Sequence, residues 1–322
     1  MYREGTYYWF AAGYAACREF NSTTGCKGCL QRGVPIGPAC GCGFEASTAV
    51  NLYTSRDLVA WQFHGNVLPA AARPTDRSLF SPRAIYNERA QRWVLWWNYV
   101  PSYSYAVAVA ASPFGPFGQT NASAGDSFRY CHGNNSRCGD FSLFVDDDGA
   151  AYMLYSHDPL PGTSDKLSVA RLTDDYLASA WDPRTGTGEM ALGIPGFEAP
   201  ALFKRGQQYV ALTSSACCYC QPGGTVYAHQ AAHPLGPYTP QTPNVISFSD
   251  GSLTRTQGQQ TTVTTVQHTP NATWFLWQGD RWQSAPDGLK AHDFQFWYPL
   301  AFAPNGSILP MAWVDSFSPP TS

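Results

Sequence analysis

The sequence predicts an all-β protein, a five-bladed β-propeller formed by a single domain over residues 1–322. Aromatic residues make up 15% of the chain and charged residues only 13%, and aromatic side chains favour strands. A hairpin module recurs at a nearly constant spacing, which is typical of repeat folds. No stretch shows the apolar periodicity of a helix longer than a few turns.

The repeated module is an apolar strand, a turn containing Asp, Asn or Gly, and a second strand that is often rich in aromatic residues. Trp96, Leu154 and Leu212 occupy matching positions 58 residues apart, and Leu276 follows after 64 residues. The copies cover residues 6–10, 82–97, 141–156, 201–213 and 274–277. Because the first copy begins so close to Met1, we expect it to lack its opening strand.

A second strand pair follows each of the first four hairpins, at residues 52–61, 110–117, 170–177 and 233–238. Four short strands in each of five repeats imply a five-bladed propeller. A blade packs between neighbours on both faces, so its strands need not alternate between apolar and polar residues. A two-sheet sandwich is the alternative, but it would not repeat its strands as hairpin pairs at this period.

Ten cysteines and five Asn-x-Ser/Thr sequons favour a secreted, disulfide-containing glycoprotein. Half of the cysteines lie in a Cys- and Gly-rich insert around residues 17–45. Their Cys-x2-Cys and Cys-x-Cys pairs also suit zinc, but the secretory signals favour disulfides.

No leader peptide is visible, and we expect the N-terminus to be truncated. The sequons begin at Asn21, Asn121, Asn134, Asn271 and Asn305.

Charge and hydropathy exclude two classes of partner. The net charge is −3, and no basic stripe is present to neutralise nucleic-acid phosphates. No apolar run approaches the roughly 20 residues that span a bilayer. We expect a monomer that needs no cofactor, with a calcium requirement left open.

The segment Gly-Phe-Glu-Ala-Pro-Ala at residues 196–201 surrounds Glu198 with apolar neighbours directly before a predicted strand. Burial disfavours the charged form of a carboxyl and raises its pKa. A carboxyl that stays protonated near neutral pH can act as a general acid. A surface Glu in the loop before a strand is the alternative.

Five short segments, taken in order, make the chain resemble glycoside hydrolase family 43, most closely its exo-β-1,3-galactanase subfamily. The resemblance runs over nearly the whole chain. It implies an inverting glycosidase acting on a galactan polysaccharide or oligosaccharide, with one carboxylic acid protonating the leaving oxygen and a base activating water. The segments lie at residues 140–156, 174–177, 198–214, 235–238 and 279–282.

The resemblance also implies three catalytic residues. Glu198, which begins the Glu-Ala-Pro motif, matches the general acid. Asp140, three residues before Leu-Phe-Val-Asp-Asp-Asp-Gly, matches the residue that positions the substrate and tunes the pKa of the acid. Gln260 matches the subfamily's Gln at the base position, where it would orient water because an amide is too weak a base. A polar residue at the start of a strand is the alternative for Gln260.

Sugar rings present C–H surfaces that pack on aromatic faces. The candidate substrate-binding residues are therefore Trp97, Tyr99, Trp282 and Trp297. For each of them, a place in the blade core is the alternative.

The sequence departs from the subfamily pattern at two carboxylates. The subfamily commonly has Glu-Arg-Pro where this chain has Phe80-Ser81-Pro82, and Glu near the position of Ala12. Glu45, in the insert, is a candidate replacement. These departures keep two alternatives open: an α-L-arabinofuranosidase or β-xylosidase of the same family, and a catalytically inactive propeller that binds glycans.

Overall fold

The computed structural model describes residues 1–14, 30–31, 34–35, 49–73, 78–100, 104–121, 124–131, 137–158, 166–194, 197–215, 223–247, 256–269, 272–282, 284–287 and 289–318. These residues form strands and the short 3₁₀ turns Ala70–Ala72, Ala124–Ser127 and Lys290–His292, with no α-helix among them. The prediction of an all-β protein is confirmed.

The strands form five antiparallel sheets, each built from one continuous region of the chain. The first region contains β1 (Tyr2–Arg3), β2 (Thr6–Gly13), the hairpin β3 (Leu30–Gln31) and β4 (Val34–Pro35), β5 (Ala49–Ser55) and β6 (Gln62–Asn66). Blade 2 contains β7 (Ser78–Asn87), β8 (Arg92–Val100), β9 (Tyr105–Ala110) and β10 (Gly118–Asn121). Blade 3 contains β11 (Cys138–Val145), β12 (Ala151–His157), β13 (Leu167–Arg171) and β14 (Glu189–Ala191).

Blade 4 contains β15 (Phe197–Arg205), β16 (Gln208–Ser215), β17 (Val226–Ala231) and β18 (Thr239–Val245). Blade 5 contains β19 (Gln259–Thr269), β20 (Ala272–Asp280) and β21 (Gln295–Pro299). Blade 1 has the strand order β1-β2-β5-β6, and the pair β3-β4 forms a separate small sheet. Where we expected no opening strand in blade 1, the structure has the two residues of β1, which pair with Tyr7 and Thr6.

The first strands of the blades contact one another around a ring. β7 contacts β2 and β11, β15 contacts β11 and β19, and β19 returns to β1. This closed order of five sheets confirms the predicted five-bladed propeller, with its axis lined by β7, β11, β15 and β19.

Five hydrophobic clusters fill the five seams between neighbouring blades. β8 shows how one strand serves two seams: Trp93, Leu95 and Trp97 belong to the cluster shared with blade 1, whereas Val94 and Trp96 belong to the cluster shared with blade 3. Each such side chain stabilises the fold by about 1.5–3 kcal/mol when fully buried. Burial on both faces explains why apolar residues do not alternate along these strands.

Candidate active site

β7, β11, β15 and β19 begin at one end of the ring, and the pairing of each strand is irregular there. The irregularities lie between Phe80 and Arg83, Cys138 and Phe141, Glu198 and Ala201, and Gln260 and Thr262. Such bulges bend a strand and re-aim its side chains, and they are common beside active sites. The bulges place Asp140, Glu198 and Gln260 at the same end of three successive blades.

The backbone of Ala199 joins these three residues through the two peptide groups that flank it. Its N–H donates to the carboxyl of Asp140, and its carbonyl accepts a 2.5 Å hydrogen bond from Nε2 of Gln260. Ala199 has a φ of 46°, a left-handed conformation that costs a non-glycine residue about 1–3 kcal/mol. Two site residues therefore fix the backbone immediately after Glu198, whose side chain is half-buried on β15.

Asp140 is half-buried on β11, and opposing influences act on its charge. Burial raises the pKa of its carboxyl, the Arg83 guanidinium and the Ala199 N–H act in the opposite direction, and the Asp280 carboxylate adds to the rise. The net effect is a raised pKa. The ionisation of Asp140 thus depends on the charges around it, and its role in tuning the acid stays a prediction.

The backbone around Asp140 is held by residues that the sequence did not single out. The carbonyl of Gly139 accepts hydrogen bonds from Nδ2 of Asn98 at 3.2 Å and from the hydroxyl of Tyr105 at 2.9 Å. Oγ of Ser156 donates to the carbonyl of Asp140 at 3.2 Å. A disulfide between Cys131 and Cys138 ties the start of β11 to the preceding segment.

Gln260 is 2% exposed, and both ends of its amide are engaged. Nε1 of Trp277 can only donate, so the atom it contacts at 2.9 Å is the carbonyl oxygen of Gln260. The other atom is then Nε2, which donates to Ala199. Among the described residues this amide has no further hydrogen-bond partner, which leaves one lone pair and one N–H for a water molecule. The water-orienting role stays a prediction.

Trp97 and Tyr99 are completely buried, at 0% exposure each. Both belong to the cluster between blades 1 and 2, and their rings meet edge to face at 5.8 Å. A ring with no accessible face cannot pack on a sugar. The structure therefore corrects their predicted substrate-binding role: they are blade-core residues.

Trp282 and Trp297 lie in different places on blade 5. Trp282 follows β20 at the site end, is 7% exposed, and donates through Nε1 to Oε1 of Gln259 at 2.8 Å, next to Gln260. Trp297 lies on β21 and contacts Trp9 and Trp61 of blade 1 edge to face, at 5.8 and 5.9 Å. Trp297 thus closes a seam away from the site, and Trp282 is the aromatic candidate that stays beside it.

Phe80 occupies the place in blade 2 that Glu198 occupies in blade 4. Phe80 pairs with Asn98 as Glu198 pairs with Ser214, and both positions are followed by a bulge. A half-buried phenyl ring therefore stands where a second carboxylate would face the axis. Ala12 lies on β2. Glu45 and the cysteines of the insert lie outside the described residues, as do those at positions 217, 218 and 220.

Two charged residues near the site, Arg83 and Asp280, were not predicted from the sequence to belong to it. Both interact electrostatically with Asp140. The signal in the sequence was an arginine inside an apolar strand, where charged residues are rare unless they are paired.

Within the described ranges, no group of three or more His, Cys, Asp or Glu residues is placed to hold a metal ion. The same residues include no helix long and apolar enough to cross a membrane.

The fold is similar to those of several solved structures. A family 43 β-1,3-galactosidase bound to galactodeoxynojirimycin has a TM-score of 0.71 and 22% identity, covering 98% of this chain and 93% of that chain. An exo-β-1,3-galactanase from Clostridium thermocellum has a TM-score of 0.70 and 22% identity, covering 96% of this chain and 59% of that chain. An exo-β-1,3-galactanase from Phanerochaete chrysosporium with β-1,3-galactotriose has a TM-score of 0.67 and 22% identity, covering 97% of this chain and 61% of that chain.

At such identities these similarities show the fold alone, and the chain spans about three fifths of the length of the two galactanases. No curated protein matches the sequence. The sequence does match the family described as glycosyl hydrolases family 43 over residues 40–292, well over half of the chain. The chain therefore belongs to glycosyl hydrolases family 43 and is a glycosidase.

Proposed function

We propose that this glycosidase is an inverting exo-β-1,3-galactanase with Glu198 as its general acid. The observation that supports this most directly is the backbone of Ala199, whose N–H is bound to Asp140 and whose carbonyl is bound to Gln260. An acid must stay within hydrogen-bonding reach of the leaving oxygen during proton transfer. A backbone fixed at the adjacent residue limits the positions that the Glu198 carboxyl can occupy.

In this proposal Asp140 tunes Glu198 and orients the substrate. Asp140 accepts from the N–H of Ala199, the residue that directly follows Glu198 in the chain, and we assign the charge of Asp140 an influence on the acid. A nearby negative charge disfavours ionisation of a second carboxyl and keeps it protonated to higher pH. A protonated Glu198 can then donate to the departing glycosidic oxygen.

Gln260 is assigned to the opposite side of the bond, where inversion requires water to attack. Its free lone pair and remaining N–H suit the orientation of one water molecule. Trp277 and Ala199 hold the amide plane still. Orientation, rather than proton abstraction, is the contribution that a neutral amide makes.

Phe80 supports a second candidate substrate. An apolar ring at the axis has no hydrogen-bond acceptor for a sugar hydroxyl. An α-L-arabinofuranosidase or β-xylosidase specificity is therefore the alternative within the same family.

The test is sugar release from β-1,3-galactan, arabinan and xylan by the disulfide-intact protein, with Glu198→Gln as the matched control. We expect galactose to be released from β-1,3-galactan. NMR recorded immediately after cleavage should show that the configuration at its anomeric carbon is inverted. Release of arabinose or xylose would move the specificity to the alternative. A folded protein that releases no sugar from any of the three would contradict both substrates.

We further propose that the protein is secreted as a monomer and acts without a metal. The Cys131–Cys138 disulfide supports an oxidising compartment. Retention of activity after dialysis against EDTA, and a monomeric mass in light scattering, are the expected results. Loss of activity that calcium restores would contradict the metal-free assignment.

A further inference from the structure

Arg83 reaches across the axis of the propeller. It lies on β7 of blade 2, and its Nη2 donates to the carbonyl of Thr261 on β19 of blade 5 at 2.7 Å. Blade 1 separates blades 2 and 5 in the ring, so this hydrogen bond joins the inner strands of two blades that are not neighbours. The guanidinium therefore stands inside the ring, close to where the three bulged strands converge.

Two carboxylates from different blades act on this guanidinium. Burial lowers the pKa of Arg83, while Asp280 of blade 5 and Asp140 of blade 3 oppose that shift. Arginine nevertheless stays charged in proteins. The guanidinium thus lies within electrostatic reach of two carboxylates, and one of these, Asp140, accepts from the N–H of Ala199, the residue after Glu198.

The matching position of blade 4 shows that packing does not require this cation. Arg83 pairs with Trp96 as Ala201 pairs with Leu212, and Ala201 is 0% exposed. Nε of Arg83 is buried and has no hydrogen-bond partner among the described residues. A buried cation with an unsatisfied donor is a poor source of stability compared with a small apolar side chain.

β7, which carries Arg83, contacts β11, which carries Asp140, on the neighbouring blade. We propose that Arg83 is a positioning residue for glycoside hydrolysis, which favours the ionised form of Asp140 so that its carboxylate accepts from the Ala199 N–H beside Glu198. The inference rests on the proposed function of Glu198 and Asp140. Arg83 itself takes no proton and forms no bond. Its effect on the reaction passes through Asp140.

The other groups near this pair determine how the test is read. Tyr105, from β9, faces Asp140, and burial raises the pKa of its hydroxyl well above the usual range, so it stays neutral. Besides Arg83, a charged group that acts on Asp140 is Asp280, whose carboxylate opposes the ionisation of Asp140.

The experiment measures kcat and KM against pH for two variants that shift Asp140 in opposite directions. Arg83→Gln removes the cation, so the pKa of Asp140 rises and the acidic limb of kcat/KM moves to higher pH. Asp280→Asn removes the opposing carboxylate, so the limb moves to lower pH. The Asn keeps the oxygen that accepts from Nε2 of Gln295 at 2.6 Å.

We expect Arg83→Gln to lower kcat by roughly 10- to 100-fold, the order of loss that misplaced catalytic groups produce, with KM little changed. Arg83→Lys should restore most of the rate because it keeps the charge. Arg89→Gln is the matched control, since Arg89 is 81% exposed and pairs with Asp174 at the rim. It should leave kcat and the pH profile unchanged.

A double-mutant cycle with Asp140→Asn separates coupling from general damage. If Arg83 acts through Asp140, Arg83→Gln costs little further activity once Asp140 is Asn. The inference would be overturned if Arg83→Gln lowered the activity equally in the wild-type and Asp140→Asn proteins. It would also be overturned if the acidic limbs of kcat/KM for Arg83→Gln and Asp280→Asn did not move in opposite directions. Activity retained by Glu198→Gln would instead overturn the proposed function, so the two failures are distinguishable.

Discussion

Blades 2 and 4 carry the same backbone feature and opposite side chains. In blade 2, Phe80 precedes Ser81, which has a φ of 45°. In blade 4, Glu198 precedes Ala199, which has a φ of 46°. A proline follows in both cases, and the pairing with the second strand is interrupted at the same point.

The comparison separates what the fold provides from what one side chain provides. A bulge with a left-handed residue costs a non-glycine side chain about 1–3 kcal/mol wherever it occurs. Blade 2 retains this feature although Phe80 cannot donate a proton. The bulge is therefore a way to aim a side chain at the axis, and the residue aimed there determines whether the position can do acid–base chemistry.

The largest expected effect comes from exchanging the acid. Glu198→Gln should lower kcat on a natural glycan by roughly 10²–10⁴-fold, the usual contribution of a general acid. On an activated aryl glycoside the loss should be much smaller, because that leaving group needs little protonation. Phe80→Leu is the matched change in blade 2 and should alter kcat only a few-fold. Equal losses on both substrates would contradict the assignment.

The two blades are also expected to differ in how their stability depends on pH, because blade 4 has a buried histidine where blade 2 has an alanine. His229 on β17 is 3% exposed, and burial lowers its pKa to about 4 from 6.5. The folded protein thus keeps it neutral, while the unfolded chain binds a proton below pH 6.5. Its contribution to stability is complete above pH 6.5 and is lost as the pH falls towards 4, by up to about 3 kcal/mol at about 1.4 kcal/mol per pKa unit.

Blade 2 has Ala108 at the matching position. We expect His229→Ala to reduce the loss of unfolding free energy between pH 7.5 and 4.5, as measured by denaturant titration at each pH. The exposed His233→Ala variant is the control and should leave this difference unchanged. An undiminished acid loss in His229→Ala would show that other groups are responsible.

A third change makes blade 2 resemble blade 4. Phe80→Glu places a carboxylate acceptor at the axis, where a hydrogen bond to a charged group is worth about 1.5–3 kcal/mol. If the substrate is β-1,3-galactan, we expect kcat/KM on it to rise by about 10-fold or more. A rise on arabinan or xylan alone would favour the alternative specificity.

The smallest effect tests the bulge itself. Glycine tolerates a positive φ, so Ala199→Gly and Ser81→Gly should each change stability by less than about 1 kcal/mol. Ala199→Gly also frees the backbone beside Glu198 and should lower kcat several-fold, on the order of 3- to 10-fold. Ser81→Gly should leave kcat unchanged. Similar losses in both variants would mean that the Ala199 peptide does not position the acid.

The spacing of the hairpins was sufficient to predict the propeller, because each blade is one local unit. Trp96, Leu154 and Leu212 do lie on the second strands of successive blades. The sequence singled out Asp140 and Glu198 through the motifs of the resemblance, whereas their placement at one end of the ring is a result of the structure, since both lie near the start of the first strand of a repeat.

The aromatic residues could not be assigned in the same way. A strand packed on both faces gives no periodicity from which to tell a core ring from a site ring, and Trp97 and Tyr99 are core rings for that reason. The role of Arg83 could not be predicted from the sequence because Thr261, whose carbonyl it contacts, is 178 residues away along the chain. Contacts across the axis join blades that are distant along the chain, and no local pattern records them.

The seam between blades 1 and 5 differs from the others in what it contains. Trp9, Trp61 and Trp297 meet edge to face there, with ring centroids 5.6–5.9 Å apart. Two of these indoles come from the beginning of the chain and the third from near its end, and in the described part of the chain no strand pairing joins the two blades. We therefore expect the far-ultraviolet exciton circular dichroism of these tryptophans to report the moment at which the ring closes during refolding.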